Sequence, residues 1–295
     1  MLRLRPASRA DNEAVLELLA ACDLAHYGET DFTREHLLDE WRDADFDAAA
    51  DLVLIEDERG EPVACGALLA AGALAFVDPQ REGAGAGSQL LAWAEARARA
   101  RGRDVHRQRL AERNVSGRRL LTAAGYRRPR GVLRMRRTLD RAPQLPPAPD
   151  GIVLEPLDVA LDARAIYAVD SAAFAGSPDY EQGSFASFHA EHLDSPQLDP
   201  SLSRVARRGD ALVAFALCRR TGRGGYIDIL AVEQAERGRG LGALLLASAF
   251  AALSDAGIRE ARLDVSSENA PALRLYERAG MRVCNRMEVF EKPVG

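Results

Sequence analysis

One pattern occurs twice in this chain, and it constrains the fold more than any other feature. Val77, Gly83, Gly85, Gly87, Leu90, Leu91, Gly102, Asn114, Leu120, Ala124 and Gly125 recur as Val232, Gly238, Gly240, Gly242, Leu245, Leu246, Gly257, Asn269, Leu275, Ala279 and Gly280. Every pair is separated by 155 residues (232 − 77 = 155; 280 − 125 = 155). A constant offset carried by glycines and by Asn114/Asn269 marks an internal duplication. Between the copies, "LDRAPQLPPAPDG" sets four prolines within thirteen residues, an extended, semi-rigid spacer. The expected division is a first domain over 1–139, a linker over 140–151 and a second domain over 152–295. A chain of 295 residues, 47% hydrophobic and 28% charged, can supply two cores.

Each copy shows the same order of local signals. A short strand ("MLRLRP", "GIVLEP") leads through a polar cap into an amphipathic helix ("SRADNEAVLELLAA", "DVALDARAIYAVDSAA"), then a second helix and a run of strands. The fold class is α/β of the α+β kind, each copy a mixed, mostly antiparallel sheet flanked by helices. In the second copy "GGYIDILAV" reads as a strand, "EQAERGRGLG" as a turn and "ALLLASAFAALSDAG" as a helix stopping at Gly257. Glycines let a backbone approach a ligand closely, and the helix N-terminus adds unpaired N–H groups and a positive dipole end, which suits a phosphate or pyrophosphate. Arg237 and Arg239 add charge to pair with it. A dinucleotide fold competes, because Gly238, Gly240 and Ala243 fit GxGxxA and Asp264 follows about 20 residues on. Against it, "SRVARRG", "ALVAFALCRR" and "YIDILAV" are joined by turns too short for parallel crossovers.

"LAVEQAERGRGLGALLL" followed by "ARLDVSSENAPALRLYERAGM" resembles the acetyl-CoA-binding core of the GNAT acetyltransferase superfamily. Its loop signature falls on Arg237, Gly240 and Gly242, and the downstream Asn269 and "LYERAG" helix complete it; Gln234 stands where many members have proline. The resemblance implies a tandem pair of such domains and acetyl-CoA as co-substrate. The pantetheine arm would lie along the backbone of Leu230, Ala231 and Val232. The N–H groups of Arg237, Gly238, Arg239, Gly240, Leu241, Gly242 and Ala243 would hold the pyrophosphate. Asn269 would bond the pantetheine, cap the following helix, or do both. Tyr276 would protonate the departing thiolate, a phenol of pKa about 10 being well matched to it. The reaction implied is acetylation of a small-molecule or peptide amine by direct attack. Asp228 is the nearest base candidate, although an exposed strand carboxylate serves equally well as a description of it. A non-catalytic acyl-CoA-binding protein is the alternative from another class.

At the same offset the first copy carries Glu82 for Arg237, Ala84 for Arg239, Leu121 for Tyr276 and Ala73 for Asp228. Its glycines keep the cradle while Glu82 repels an anion. A catalytically silent copy that binds CoA weakly or not at all is expected. Glu181, Asp179, Glu191 and Asp194 lie where the resemblance puts the acceptor side and can read a cationic substrate. His189 and His192 could share a helix face, yet no third ligand is evident and no metal is expected.

Cys22, Cys65, Cys218 and Cys284 form neither a CxxC pair nor a dense scaffold, which favours a reducing, cytoplasmic setting. No apolar run reaches the roughly 20 residues of a membrane helix. A net charge of −5 argues against general polyanion binding, although 97–137 holds 15 arginines against Asp104 and Glu112. With only Tyr126 interleaved, that stretch reads as solvated surface, domain packing or CoA phosphate contact rather than a nucleic-acid surface.

Overall fold

The computed structural model describes residues 1–30, 46–69, 72–140, 144–177, 180, 182–222 and 224–295. The first copy runs β1 (Arg3–Pro6), α1 (Asn12–Tyr27), α2 (Ala48–Asp51), β2 (Leu52–Glu56), β3 (Pro62–Leu69), β4 (Gly72–Val77), α3 (Ala86–Ala100), β5 (Val105–Ala111), α4 (Val115–Ala123) and β6 (Arg127–Thr138). The second runs β7 (Ile152–Pro156), α5 (Val159–Phe174), α6 (Phe185–Phe188), a π-helical turn His189–Leu193, β8 (Arg204–Arg208), β9 (Ala211–Thr221), β10 (Gly224–Val232), α7 (Leu241–Asp255), β11 (Glu260–Ser266), α8 (Ala270–Arg278) and β12 (Arg282–Pro293). Local chemistry sets several boundaries. Asp158 opens α5 by accepting from the N–H groups of Ala160 and Leu161, and Gly28 closes α1 in the left-handed conformation, φ 77°. Helix α7 buries Leu241, Leu244, Leu245, Leu246, Phe250 and Leu253, as its nearly continuous aliphatic run requires.

All twelve strands form one sheet in the order β1-β2-β3-β4-β5-β12-β6-β11-β10-β9-β8-β7. The last strand of each copy therefore does not return to its own copy. Strand β6 runs antiparallel to β11 from Thr138↔Glu260 to Val132↔Ser266, and β12 runs antiparallel to β5 from Ala111↔Met287 to Val105↔Pro293. The two exchanged strands pair with each other, with Val132 opposite Met287. Because 287 − 132 = 155, these are equivalent positions of the two copies, and the local two-fold axis passes between them. The division at 139 and 152 thus follows the chain but not the sheet. Strand alternation specifies which face is apolar, and that pattern is the same whichever sheet receives the strand.

The cores follow the exchange. Leu133 and Met135 of β6 are buried with Leu246, Phe250 and Leu263 of the second copy, while Phe290 of β12 packs with Leu91, Leu110, Leu121 and Tyr126 of the first. The arginine-rich stretch serves this seam. Arg134 makes a two-pronged contact with Asp264 at 2.7 and 2.8 Å, and Arg118 and Arg128 hold Glu288 at 3.0 and 2.5 Å. Within the first copy, Arg97 and Arg101 clamp the fully buried Asp51. All four cysteines are unpaired, and no described helix is long and apolar enough to cross a membrane.

Candidate active site

Strand β10 pairs parallel with β11 only at Gly225↔Ala261 and Tyr226↔Arg262, whereas its antiparallel pairing with β9 continues to Val232↔Ala214. Leu230, Ala231 and Val232 therefore border an opening in the sheet. Gly238 (φ 78°) and Gly240 (φ 91°) then bend the chain into α7 through a left-handed conformation that residues with a side chain adopt only at a cost. Gly240 caps α7 without any side-chain bond, and the first-turn N–H groups of Leu241, Gly242 and Ala243 have no acceptor within the helix. At Gly242 a Cβ would lie 3.2 Å from Leu275 Cδ2, so the glycine sets the close approach of α7 and α8.

The two arginines of the turn differ. Arg237 donates to the carbonyls of Val232 (3.1 Å) and Ala173 (2.7 Å), tying the turn to the end of α5. Arg239 is more than half exposed at the cradle, 3.5 Å from Glu236, whose carboxylate is taken up by Arg208 at 2.8 and 2.9 Å. Asn269 Oδ1 accepts from Ala272 N at 3.1 Å and caps α8. Tyr276, on the buried face of α8, has its phenol pushed up to about 12 by burial, so it holds its proton across the neutral range. A cavity of about 430 Å³ continues from Ala243 between α7 and α8, past Phe250, Leu275 and Arg278, with Arg137 of β6 and Pro146 of the linker in its wall.

On the other face, Asp228 sits in a bulge between Ile227 and Ile229. Its Oδ2 accepts from His192 Nδ1 at 2.9 Å and from Arg219 Nη2 at 2.8 Å. Burial alone would raise this carboxyl, but Arg219 and His192 outweigh it and hold it well below the usual carboxylate range. His192 shows the reverse balance: burial lowers it, and Asp228 more than compensates, leaving it above the ordinary histidine value. His189 pairs with Asp194 at 3.0 Å instead of sharing a ligand position with His192. Glu191 approaches His192 Nε2 at 3.8 Å, and the buried Asp170 accepts from Tyr180 at 2.9 Å nearby. Asp179 and Glu181 lie outside the described residues. Among the described residues no group of three His, Cys, Asp or Glu could hold a metal ion. Arg219 and the His192–Asp228 pair carry no local sequence signal, because 36 residues separate the two partners.

The first copy preserves the backbone and lacks these groups. Gly83 and Gly85 have φ 80° and 93°, and a Cβ at Gly87 would meet Leu120 at 3.1 Å, as at Gly242. Glu82 accepts from Ser116 Oγ at 2.5 Å, Leu121 is buried, and Asn114 caps α4 through Gly117 N at 2.7 Å. The opening begins two residues further along the strand: β4 and β5 pair at Ala73↔Gln108, where Ala73 is the equivalent of Asp228, and Gln108 Nε2 donates to the Ala73 carbonyl at 3.0 Å.

The Acetyltransferase (GNAT) family matches residues 165–281. The mycothiol acetyltransferase of Brachybacterium faecium is 34% identical over 221 residues, 72% of this chain and just under two thirds (65%) of that protein. The mycothiol acetyltransferase of Clavibacter michiganensis is 33% identical over 243 residues, 78% of this chain and 76% of that protein. A solved GCN5-related N-acetyltransferase from Sphaerobacter thermophilus is 29% identical with a TM-score of 0.85, covering 99% of this chain and 96% of its own.

Proposed function

The chain belongs to the GNAT acetyltransferase family, and from that premise we propose that it transfers the acetyl group of acetyl-CoA to a primary amine, with the chemistry confined to the second copy. The observation that carries this reading is the combination of the β10/β11 opening, the glycine cradle at the start of α7 and Tyr276 on the adjoining helix. The residues fit acetyl-CoA. Leu230, Ala231 and Val232 would flank the pantetheine arm. The backbone from Arg237 to Ala243, helped by the exposed Arg239, would hold the pyrophosphate, and the α7/α8 cavity would receive the remainder. Asn269 acts by capping α8.

In the reaction a C–N bond forms, the C–S bond breaks, the attacking amine gives up one proton and the thiolate gains another. Tyr276 would supply the second, a reading supported by a phenol that stays protonated. Asp228, Glu191 and Asp170 make the opposite face acidic, suiting a substrate that arrives as an ammonium ion. The names of the two curated relatives favour a narrower reading, in which the acceptor is the amine of a cysteinyl-glucosaminyl-inositol and the product is mycothiol. The test is release of CoA thiol from acetyl-CoA against a panel of amines that includes this compound. Turnover with a primary amine is expected; tight acetyl-CoA binding with no turnover would favour a non-catalytic acyl-CoA-binding protein. In that panel, preference for the cysteinyl compound by a factor of at least ten would establish the narrower reading.

A further inference from the structure

We infer that His192, held by Asp228, is the base that takes the proton from the acceptor amine, with Asp228 as its positioning residue and not itself the base. The inference rests on the N-acetyltransferase reading of the same site. His192 Nδ1 lies 2.9 Å from Asp228 Oδ2, which can only accept, and 3.3 Å from Arg219 Nη2, which can only donate; the shorter contact to the carboxylate favours the hydrogen of the neutral imidazole on Nδ1 and the lone pair on Nε2. Asp228 is poorly suited to take the proton itself. Its Oδ2 already accepts from two donors, and Arg219 holds it ionised.

The position of the pair points the same way. Asp228 lies two residues before Leu230, at the mouth of the β10/β11 opening, and the bulge there turns it from the regular strand pattern. His192 is delivered by the π-helical turn His189–Leu193, a local widening often found at functional sites. Its ring rests against Phe188 at 4.9 Å between centroids, which limits it to a small set of orientations. Around the imidazole stand Asp228 of β10, Arg219 of β9, Glu191 of its own turn and Asp170 of α5. Three carboxylates against one guanidinium give an environment that attracts an ammonium and sustains proton transfer from it.

The step balances. The ammonium proton passes to Nε2 and the freed nitrogen forms the C–N bond as the C–S bond breaks; Tyr276 gives its proton to the thiolate, and the nitrogen's second proton, lost as the neutral amide forms, restores the phenol by way of solvent. His192 then returns its proton to solvent. Because the base must be neutral and the carboxylates around it favour the charged imidazole, kcat/KM climbs with rising pH through a midpoint above the ordinary histidine value of about 6.5.

The experiment combines NMR titration of the imidazoles in the cofactor-free protein with the pH profile of kcat/KM. The wild type is expected to show one imidazole titrating at the kinetic midpoint, and Asp228→Asn should move both midpoints downward together. His192→Gln should lower kcat/KM about 100-fold and erase the limb, leaving acetyl-CoA affinity intact, while His189→Gln leaves both unchanged. Full activity with an unaltered pH profile in His192→Gln overturns the inference, as does a His192 titration indifferent to Asp228→Asn. A wild type that binds acetyl-CoA but acetylates no amine overturns the N-acetyltransferase reading, and this inference with it.

Discussion

The two glycine turns of this chain have nearly the same backbone and opposite chemistry. Gly83 and Gly85 match Gly238 and Gly240 to within a few degrees of φ, and Gly87 and Gly242 each admit one leucine from the following helix. Around that shared frame the second copy has Arg239, Tyr276 and Asp228, and the first has Ala84, Leu121 and Ala73. The turn is held by glycine conformation and helix packing, neither of which depends on the groups proposed for chemistry. A copy can therefore lose its reactive side chains and keep its geometry. In the first copy Ser116 is bonded to Glu82, and Gln108 bridges β4 and β5.

The most drastic way to break the comparison is to separate the copies. A protein comprising 152–295 alone lacks β6, and with it Leu133 and Met135. We expect no cooperative unfolding transition from it as a monomer, and recovery of a folded complex when 1–139 is expressed alongside; circular dichroism with size-exclusion chromatography reads both. An independently folded, monomeric 152–295 would show that the exchanged strand is dispensable. Next in size, Met135→Ala should destabilise the whole chain by about 2–5 kcal/mol in urea unfolding, although residue 135 belongs to the first copy, because it lies fully buried among second-copy residues.

Within the chemistry, Tyr276→Phe should lower turnover about 100-fold with acetyl-CoA affinity nearly unchanged, while Leu121→Tyr in the first copy should restore nothing. Unchanged turnover in Tyr276→Phe would remove the phenol from the mechanism. Calorimetry should find one acetyl-CoA per chain, and Arg239→Ala should weaken it only about 5-fold, since an exposed guanidinium contributes modestly. A second acetyl-CoA in the wild type would end the description of the first copy as silent.

The sequence made the local structure legible because glycine, asparagine and strand alternation act through short-range chemistry. Asn269 could be placed before a helix, the strands from "SRVARRG" to "YIDILAV" formed an antiparallel meander, and the turn at Gly240 opened a helix. Strand partnership was not legible: the burial pattern of β6 satisfies either sheet, and only the packing of Met135 against α7 and β11 decides between them. Arg237 shows a second limit. Charge and position suggested a phosphate partner, yet its guanidinium reaches two backbone carbonyls, an outcome set by where α5 ends. The arginine-rich stretch had three readings from composition; Arg134, Arg118 and Arg128 serve the seam through Asp264 and Glu288, while Arg97 and Arg101 hold Asp51 within the first copy.

The pairing of Val132 with Met287 across the local two-fold has a consequence for how such a chain can change. With the chemistry confined to the second copy as proposed, an exposed first-copy position such as Ala84 answers to no demand of catalysis and can change with little penalty, whereas the buried Leu121 still answers to its core. Leu133 and Met135, a few residues further on, answer to the stability of the second copy. Mutational tolerance should thus alternate along the first copy according to which half each residue serves. A deletion that removes the first copy together with its final strand would also strip the second copy's sheet of β6.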